Sequence, residues 1–206
     1  MLRRSVLTAP LIALAGMLAS AGPAAAAADP AAMISNLGSR ALEVLGKNTP
    51  PPQRVARFRE LFREDFDAPG IARFVLGRYW NTATEQQRAE FTKLFEEYIT
   101  VVWATRLAQY SGETFKVTGS RHDADGALVS SEIVRPGGAP PVKVDWRLTA
   151  RGGAYKISDV SVDGISMAVT ERSEFASVLQ HNGGQVQGLL TMLRERTAGG
   201  TAQPTR

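Results

Sequence analysis

Leu76 to Tyr98 reads LGRYWNTATEQQRAEFTKLFEEY, and this stretch decides the fold. Gly77 lets the chain leave a short helix, Tyr79 and Trp80 stand side by side before a turn of small polar residues, and a long helix begins. Thr82 with Glu85, and Thr84 with Gln87, both fit the capping box, in which hydroxyl and carboxylate or carboxamide satisfy free amides at a helix start. Phe91, Leu94, Phe95, Tyr98, Ile99 and Val102 then recur at helical spacing. Gln86, Arg88, Glu90, Lys93 and Glu97 occupy much of the opposite side. The helix is predicted to end near Tyr110-Ser111-Gly112, where Gly112 can close it in the left-handed conformation.

Upstream, Ala31 to Leu45 carries Met33, Leu37, Ala41 and Val44 or Leu45 on one face of an amphipathic helix. Asn48 to Pro52, NTPPP, is expected to be a stiff connector. Gln53 to Phe66 places Val55, Phe58, Leu61, Phe62 and Phe66 on one side. Arg54, Arg57 and Arg63 fall mostly off that face, as a solvated surface or as a docking surface for acidic lipid headgroups or a partner protein. Asp67 or Ala68 ends this helix, and Pro69 suits the first turn of the next. There Ile71, Phe74 and Val75 are expected to turn inward.

Downstream the period changes from helical to alternating. Phe115 to Arg121 and Ala127 to Val134 read as strands flanking an Asp123–Gly126 turn. Val142 to Ala150 is the clearest strand: Val142, Val144, Trp146 and Leu148 face one way, and Lys143, Asp145, Arg147 and Thr149 the other. Arg151-Gly152-Gly153 turns the chain, and Tyr155 to Val162 returns. Short loops imply antiparallel neighbours. Gly164-Ile165-Ser166 ends the sheet. Val169 to Gln180 resumes helical spacing with Phe175, Val178 and Leu179, and Asn182-Gly183-Gly184 breaks it. Gln185 to Arg196 is a last amphipathic helix, and Thr197 to Arg206 is expected to be a disordered tail. Helices, a four-stranded meander, then helices make an α+β layout.

The 206 residues suit one domain. Met1 to about Ala28 reads as a secretory signal peptide: Arg3 and Arg4, an apolar stretch from Val6 to Leu18 too short to cross a bilayer, and Ala-x-Ala sites from Ala24 to Ala28. Without it, 22 basic face 20 acidic side chains, a net charge of +2, which gives no ground for nucleic-acid binding. With no cysteine, stability must come from a packed core. Two histidines and no cysteine argue against a zinc site of usual composition, and no Gly-x-Ser-x-Gly elbow is present. His122 and Asp123 suit a solvated hairpin end, and His181 stands beside a Gly-Gly break. Asp145, Asp159 and Asp163 are the residues that could act as a general base, but Asp145 alternates away from the Val144 and Trp146 face. No cofactor and no enzymatic activity are expected.

Asp67 to Trp80 (DAPGIARFVLGRYW), Glu85-Gln86-Gln87, then Phe91, Leu94 and Phe95 resemble the MlaC family of periplasmic phospholipid-binding proteins. Tyr155 to Met167 (YKISDVSVDGISM) resembles that family's strand-then-Gly-x-Ser signature. Together the two matches span most of Ala31 to Leu193. A hopanoid-associated branch shares the pattern. The resemblance implies an NTF2-like curved sheet of about four strands on a long helix, with extra N- and C-terminal helices enclosing an apolar cavity. It implies a phospholipid cargo, or alternatively a hopanoid. The implied partners are an inner-membrane ABC transporter complex and an outer-membrane lipoprotein complex.

Such a carrier answers a solubility problem. Each acyl methylene in water costs about 0.8 kcal/mol, so a chain of ~14 costs on the order of 11 kcal/mol. The expected lining is Phe74, Leu76, Tyr79, Trp80, Phe95, Ile99, Val102 and Trp103 from the helices, with Val144, Trp146, Val160 and Met167 from the sheet side. By spacing alone these residues read equally as ordinary core. Tyr79 and Trp80 suit either the mouth of a pocket or a brace at the helix start.

Overall fold

The structure is a computed structural model, and it describes residues 29–45, 49–107 and 112–198. The signal-peptide reading of 1–28 therefore lies outside the described residues, as do most of the tail and the last residues expected of the long helix.

Five helices come first: α1 (Pro30–Leu45), α2 (Pro51–Asp65), α3 (Ala68–Leu76), α4 (Tyr79–Thr82) and α5 (Glu85–Leu107). A sheet of β1 (Thr114–His122), β2 (Gly126–Val134), β3 (Val142–Arg151), β4 (Ala154–Val162) and β5 (Ile165–Ser166) follows, and α6 (Met167–His181) and α7 (Val186–Ala198) close the chain. The strands pair in sequence order, all antiparallel, as the α+β reading requires.

Local differences from expectation have local causes. Pro51 and Pro52 are not connector but the first turn of α2, where a missing amide proton removes no intrahelical bond. Of the two capping boxes only Thr84/Gln87 forms: Gln87 N donates to Thr84 Oγ1 at 3.2 Å, and Thr84 N to Gln87 Oε1 at 3.0 Å. Thr82 instead donates to the Tyr79 carbonyl, because Tyr79–Thr82 is itself a short helix where a turn was expected. A fifth strand of two residues arises because Asp163 and Gly164, with φ of 47° and 83°, make a tight turn that pairs Ile165 with Val162 and Ser166 with Ser161. α7 runs through Ala198, past the expected start of the tail.

Two irregularities bend the sheet. Thr118 is an extra residue between the Val117–Ser131 and Gly119–Ser130 pairs. Ser158 is extra between the Arg147–Asp159 and Leu148–Ile157 pairs. An unpaired residue in one strand kinks it and increases the local twist.

The buried residues form two separate clusters. One is helical: Phe91, Phe95 and Tyr98 of α5 pack on Phe175 of α6 and on Leu189, Leu190 and Leu193 of α7, with Val75 and Leu76 of α3. Phe175 meets Phe91 and Phe95 edge to face, with ring centroids 6.0 and 6.3 Å apart, a favoured arrangement for aromatic pairs. The other joins α1 and α2 to the sheet through Ile34, Leu37, Val44 and Leu61 against Ala127, Val129, Leu148 and Ile157. Arg40 fastens α1 to α2 by bonds to Glu64 at 2.8 Å and Asp65 at 2.5 Å.

The α2–α3 corner connects the two clusters. Phe66 packs against both and bridges to Ile157 of β4. Asp67 caps α3 through Gly70 N and accepts a 2.6 Å bond from Arg151 at the end of β3.

Candidate functional site: an apolar cavity between two cores

Between the two clusters lies a cavity of about 580 Å³. The floor follows from strand alternation. Phe115, Ile133 and Val142 are register partners across β1, β2 and β3, Val144 pairs with Val162, and Trp146 with Val160. All seven line the cavity. Trp146 donates its indole N–H to Ser131 Oγ at 2.8 Å, so its polar edge is satisfied and its ring stands edge-on to Phe115.

The roof follows from helical period. In α5, Phe95, Ile99 and Trp103 recur every four residues and face the space, followed by Arg106, whose guanidinium lies 5.2 Å from the Trp103 ring centre. Ile71 and Val75 of α3 do the same, and Met167, Ala168 and Glu171 of α6 close one end. Leu37, Ala41 and Leu42 of α1, with Phe58, Leu61 and Phe62 of α2, form a side wall. Leu42 and Ile165 line the cavity while being 39% and 61% exposed, so the space reaches the surface there.

Of the twelve residues expected at a lining, Phe95, Ile99, Trp103, Val144, Trp146, Val160 and Met167 are at the cavity. Phe74, Leu76, Tyr79, Trp80 and Val102 are not. Each residue of a helix turns about 100° from the last. Val102 is one step from Trp103 and Leu76 one step from Val75, and both enter the helical cluster instead. Phe74, one step the other way, is 42% exposed, which corrects its expected inward orientation. Tyr79 and Trp80 are half-buried against that cluster.

The walls from α1 and α2, with Phe115, Ile133, Arg106 and Glu171, lie beyond the lining expected from the sequence. The α1 and α2 stripes were legible as apolar faces, but nothing in the sequence says that they face a space rather than a neighbour.

The polar groups of the cavity are few. Asp159 spends its carboxylate on the start of α6, accepting from Val160 N, Ala168 N and Ser166 Oγ at 2.8, 3.1 and 2.6 Å. Asp163 accepts from Lys143 N. Asp145 accepts from Ser130 Oγ at 2.6 Å and is not at the cavity, as its alternation required. Glu171 differs: its Oε2 is buried without a hydrogen-bond partner. Burial, and then Glu174, push it up to about 7, against the opposing charges of Arg106 and Arg196. His122 meets the Tyr155 hydroxyl and His181 the Ser177 carbonyl. Among the described residues, no group of three or more His, Cys, Asp or Glu side chains is arranged to hold a metal ion, and no helix is long and apolar enough to cross a membrane.

The MlaC protein family model matches residues 36–195. The chain belongs to the MlaC family. It is 25% identical over 125 residues to the intermembrane phospholipid transport system binding protein MlaC of Haemophilus influenzae, covering 59% of this chain and 58% of that one. It is 29% identical over 120 residues to the toluene tolerance protein ttg2D of Pseudomonas putida, covering 57% and 55%. The chain thus spans little more than half the length of these curated relatives. A phospholipid-binding protein from Ralstonia solanacearum, solved in complex with a phospholipid, superposes with a TM-score of 0.69 at 24% identity, over 84% of this chain and 99% of that one. That likeness establishes the shared α+β fold.

Proposed function

We propose that this chain is a soluble periplasmic carrier that holds the acyl chains of a phospholipid in the cavity and leaves the charged headgroup in water. It collects and delivers this cargo between an inner-membrane ABC transporter complex and an outer-membrane lipoprotein complex. The observation that carries the reading is the cavity: about 580 Å³ of apolar-walled space between two cores that do not merge. That volume is in the range of ligand sites, ~300–1,000 Å³. Because the space reaches the surface at Leu42 and Ile165, without cargo its apolar walls would face water, which is unfavourable by about 25 cal/mol for each Å² so exposed. The names of the relatives and the bound phospholipid of the Ralstonia protein support the same cargo.

In this reading Phe95, Ile99 and Trp103 above, and Val144, Trp146, Val160 and Met167 below, touch the acyl chains. The carrier needs no reacting group, and none is assigned. The test is organic extraction of protein purified under native conditions, followed by mass spectrometry. A diacyl phospholipid in stoichiometric amount is expected. A triterpenoid mass would make a hopanoid the cargo, and no lipid together with no uptake of added lipid would end the carrier reading.

A further inference from the structure

Apart from Val75, the stretch Arg73 to Trp80, which carries much of the family resemblance, is left without a role by the cavity. Its residues build a second, shallow concavity on the outer surface, lined by Gly70, Arg73, Phe74, Gly77, Arg78, Trp80, Asn81 and, from α6, Arg172. No carboxylate lines it. The salt bridges of the described residues engage Arg40, Arg63, Arg147, Arg151 and Arg194, and none of Arg73, Arg78 and Arg172. All three are exposed.

Two of these cations are held in place by neighbours. Arg172 lies 5.0 Å from the centre of the Phe74 ring, and Arg78 lies 4.9 Å from that of Tyr79 and donates to its hydroxyl. A β-carbon added at Gly77 would stand 3.1 Å from Arg172 Nε, so the bare backbone there makes room for the guanidinium. Stacked on Phe74, the Arg172 guanidinium keeps its in-plane N–H fork free for a carboxylate, and Arg78 keeps the N–H groups that it does not give to Tyr79. Ordering the side chain beforehand lowers the entropy cost of using it.

We propose that this concavity is a docking site for an acidic segment of a partner protein, whose carboxylates are received by Arg73, Arg78 and Arg172. Charge complementarity selects an anionic partner. The hollow shape selects protruding side chains over the flat headgroup layer of a bilayer, and the exposed Phe74 ring has Arg172 over it rather than standing free as a membrane wedge. The inference does not depend on what the cavity holds.

The test is an NMR titration of the intact protein with a soluble peptide alternating glutamate and phenylalanine. Its glutamine counterpart and phosphatidylglycerol vesicles serve as the comparison arms. The expected result is salt-sensitive binding of the acidic peptide alone, with shift changes confined to Arg73, Phe74, Arg78, Trp80 and Arg172. The R73E/R172E variant should bind at least tenfold more weakly with lipid uptake unchanged. R73K/R172K should fall between, because lysine keeps the charge and loses the fork. Absence of binding, shifts scattered over the surface, or undiminished binding by a folded R73E/R172E or R73Q/R172Q protein would overturn the proposal. So would vesicle binding through the same arginines without peptide binding, which would make the site a membrane contact.

Discussion

Val144→Trp separates a cargo space from a packed core. Val144 is near the start of β3, 4% exposed, opposite Val162 in register and on the cavity floor. In a filled interior an added indole forces off-rotamer side chains and costs roughly 1–3 kcal/mol. In a real cavity the indole occupies space that was costing stability. At ~25 cal/mol per Å², each ~40 Å² of apolar wall covered returns about 1 kcal/mol to the lipid-free protein. For a domain of this size that raises Tm by about 2–4 °C. The same ring displaces cargo. Excluding four methylenes at about 0.8 kcal/mol each weakens lipid binding by on the order of 3 kcal/mol, roughly a hundredfold. The assay pairs thermal unfolding of delipidated protein with lipid retention by native mass spectrometry. A variant destabilised by 1–3 kcal/mol that retained lipid as well as the parent would refute the cavity assignment for Val144.

Three further outcomes are expected. Because Glu171 is raised from 4.5 to about 7, the unfolded chain releases this proton at lower pH than the folded one. Its contribution to stability is therefore greatest below pH 4.5, declines as pH rises to about 7, and is constant above, a span of at most about 3 kcal/mol. Glu171→Gln should remove that slope in urea melts taken from pH 4 to 8, and an unchanged slope would exclude Glu171 as its source. Thr84→Ala removes one half of the capping box and should cost about 1 kcal/mol, read as a lower denaturant midpoint at constant m-value, whereas Thr82→Ala should cost measurably less because its hydroxyl serves only α4. Asp159→Ala removes three hydrogen bonds, two of them from Ser166 and Ala168 at the start of α6 and one from Val160 in β4, and should lower stability by roughly 2–3 kcal/mol, with faster hydrogen exchange at the Ala168 amide. Exchange as slow as in the parent would show that Ser166 alone holds the cap.

How much of this was legible in the sequence differs between fold and site. Alternation in Val142–Ala150 and helical spacing in α5 each reflect a single chemical rule, so elements and their order follow from one strand of residues at a time. The face a residue takes near a helix end does not. Phe74, Val75 and Leu76 are three consecutive apolar residues, and only the packing of α3 against α6 and β4 decides that Val75 meets the cavity, Leu76 the helical cluster and Phe74 the solvent. Tyr79 and Trp80 carry two readings for a related reason. Their aromatic chemistry suits a pocket mouth or a brace equally, and only the fold shows them packed against the helical cluster and not at the cavity. Glu171 gave no signal, since a glutamate in TERSEF, among Arg172, Ser173 and Glu174, reads as part of a solvated helix face.

The division of the interior into two clusters is the feature that would let the proposed carrier empty without unfolding. The α5–α6–α7 cluster is closed by Phe91, Phe95, Tyr98, Phe175 and the leucines of α7, with Arg194 bound to Glu90 across its surface. The α1–α2–sheet cluster is closed by its own aliphatic residues and by Arg40. Each cluster has its own buried contacts, so neither loses its internal packing when the gap is empty. Had Phe95 and Trp146 met in one continuous core, loss of cargo would have meant loss of the contacts that hold helices to sheet. Instead the layers join at the Phe66–Asp67 corner, through backbone pairing with Ile157 and the Arg151 ion pair, bonds that filling or emptying the space leaves intact.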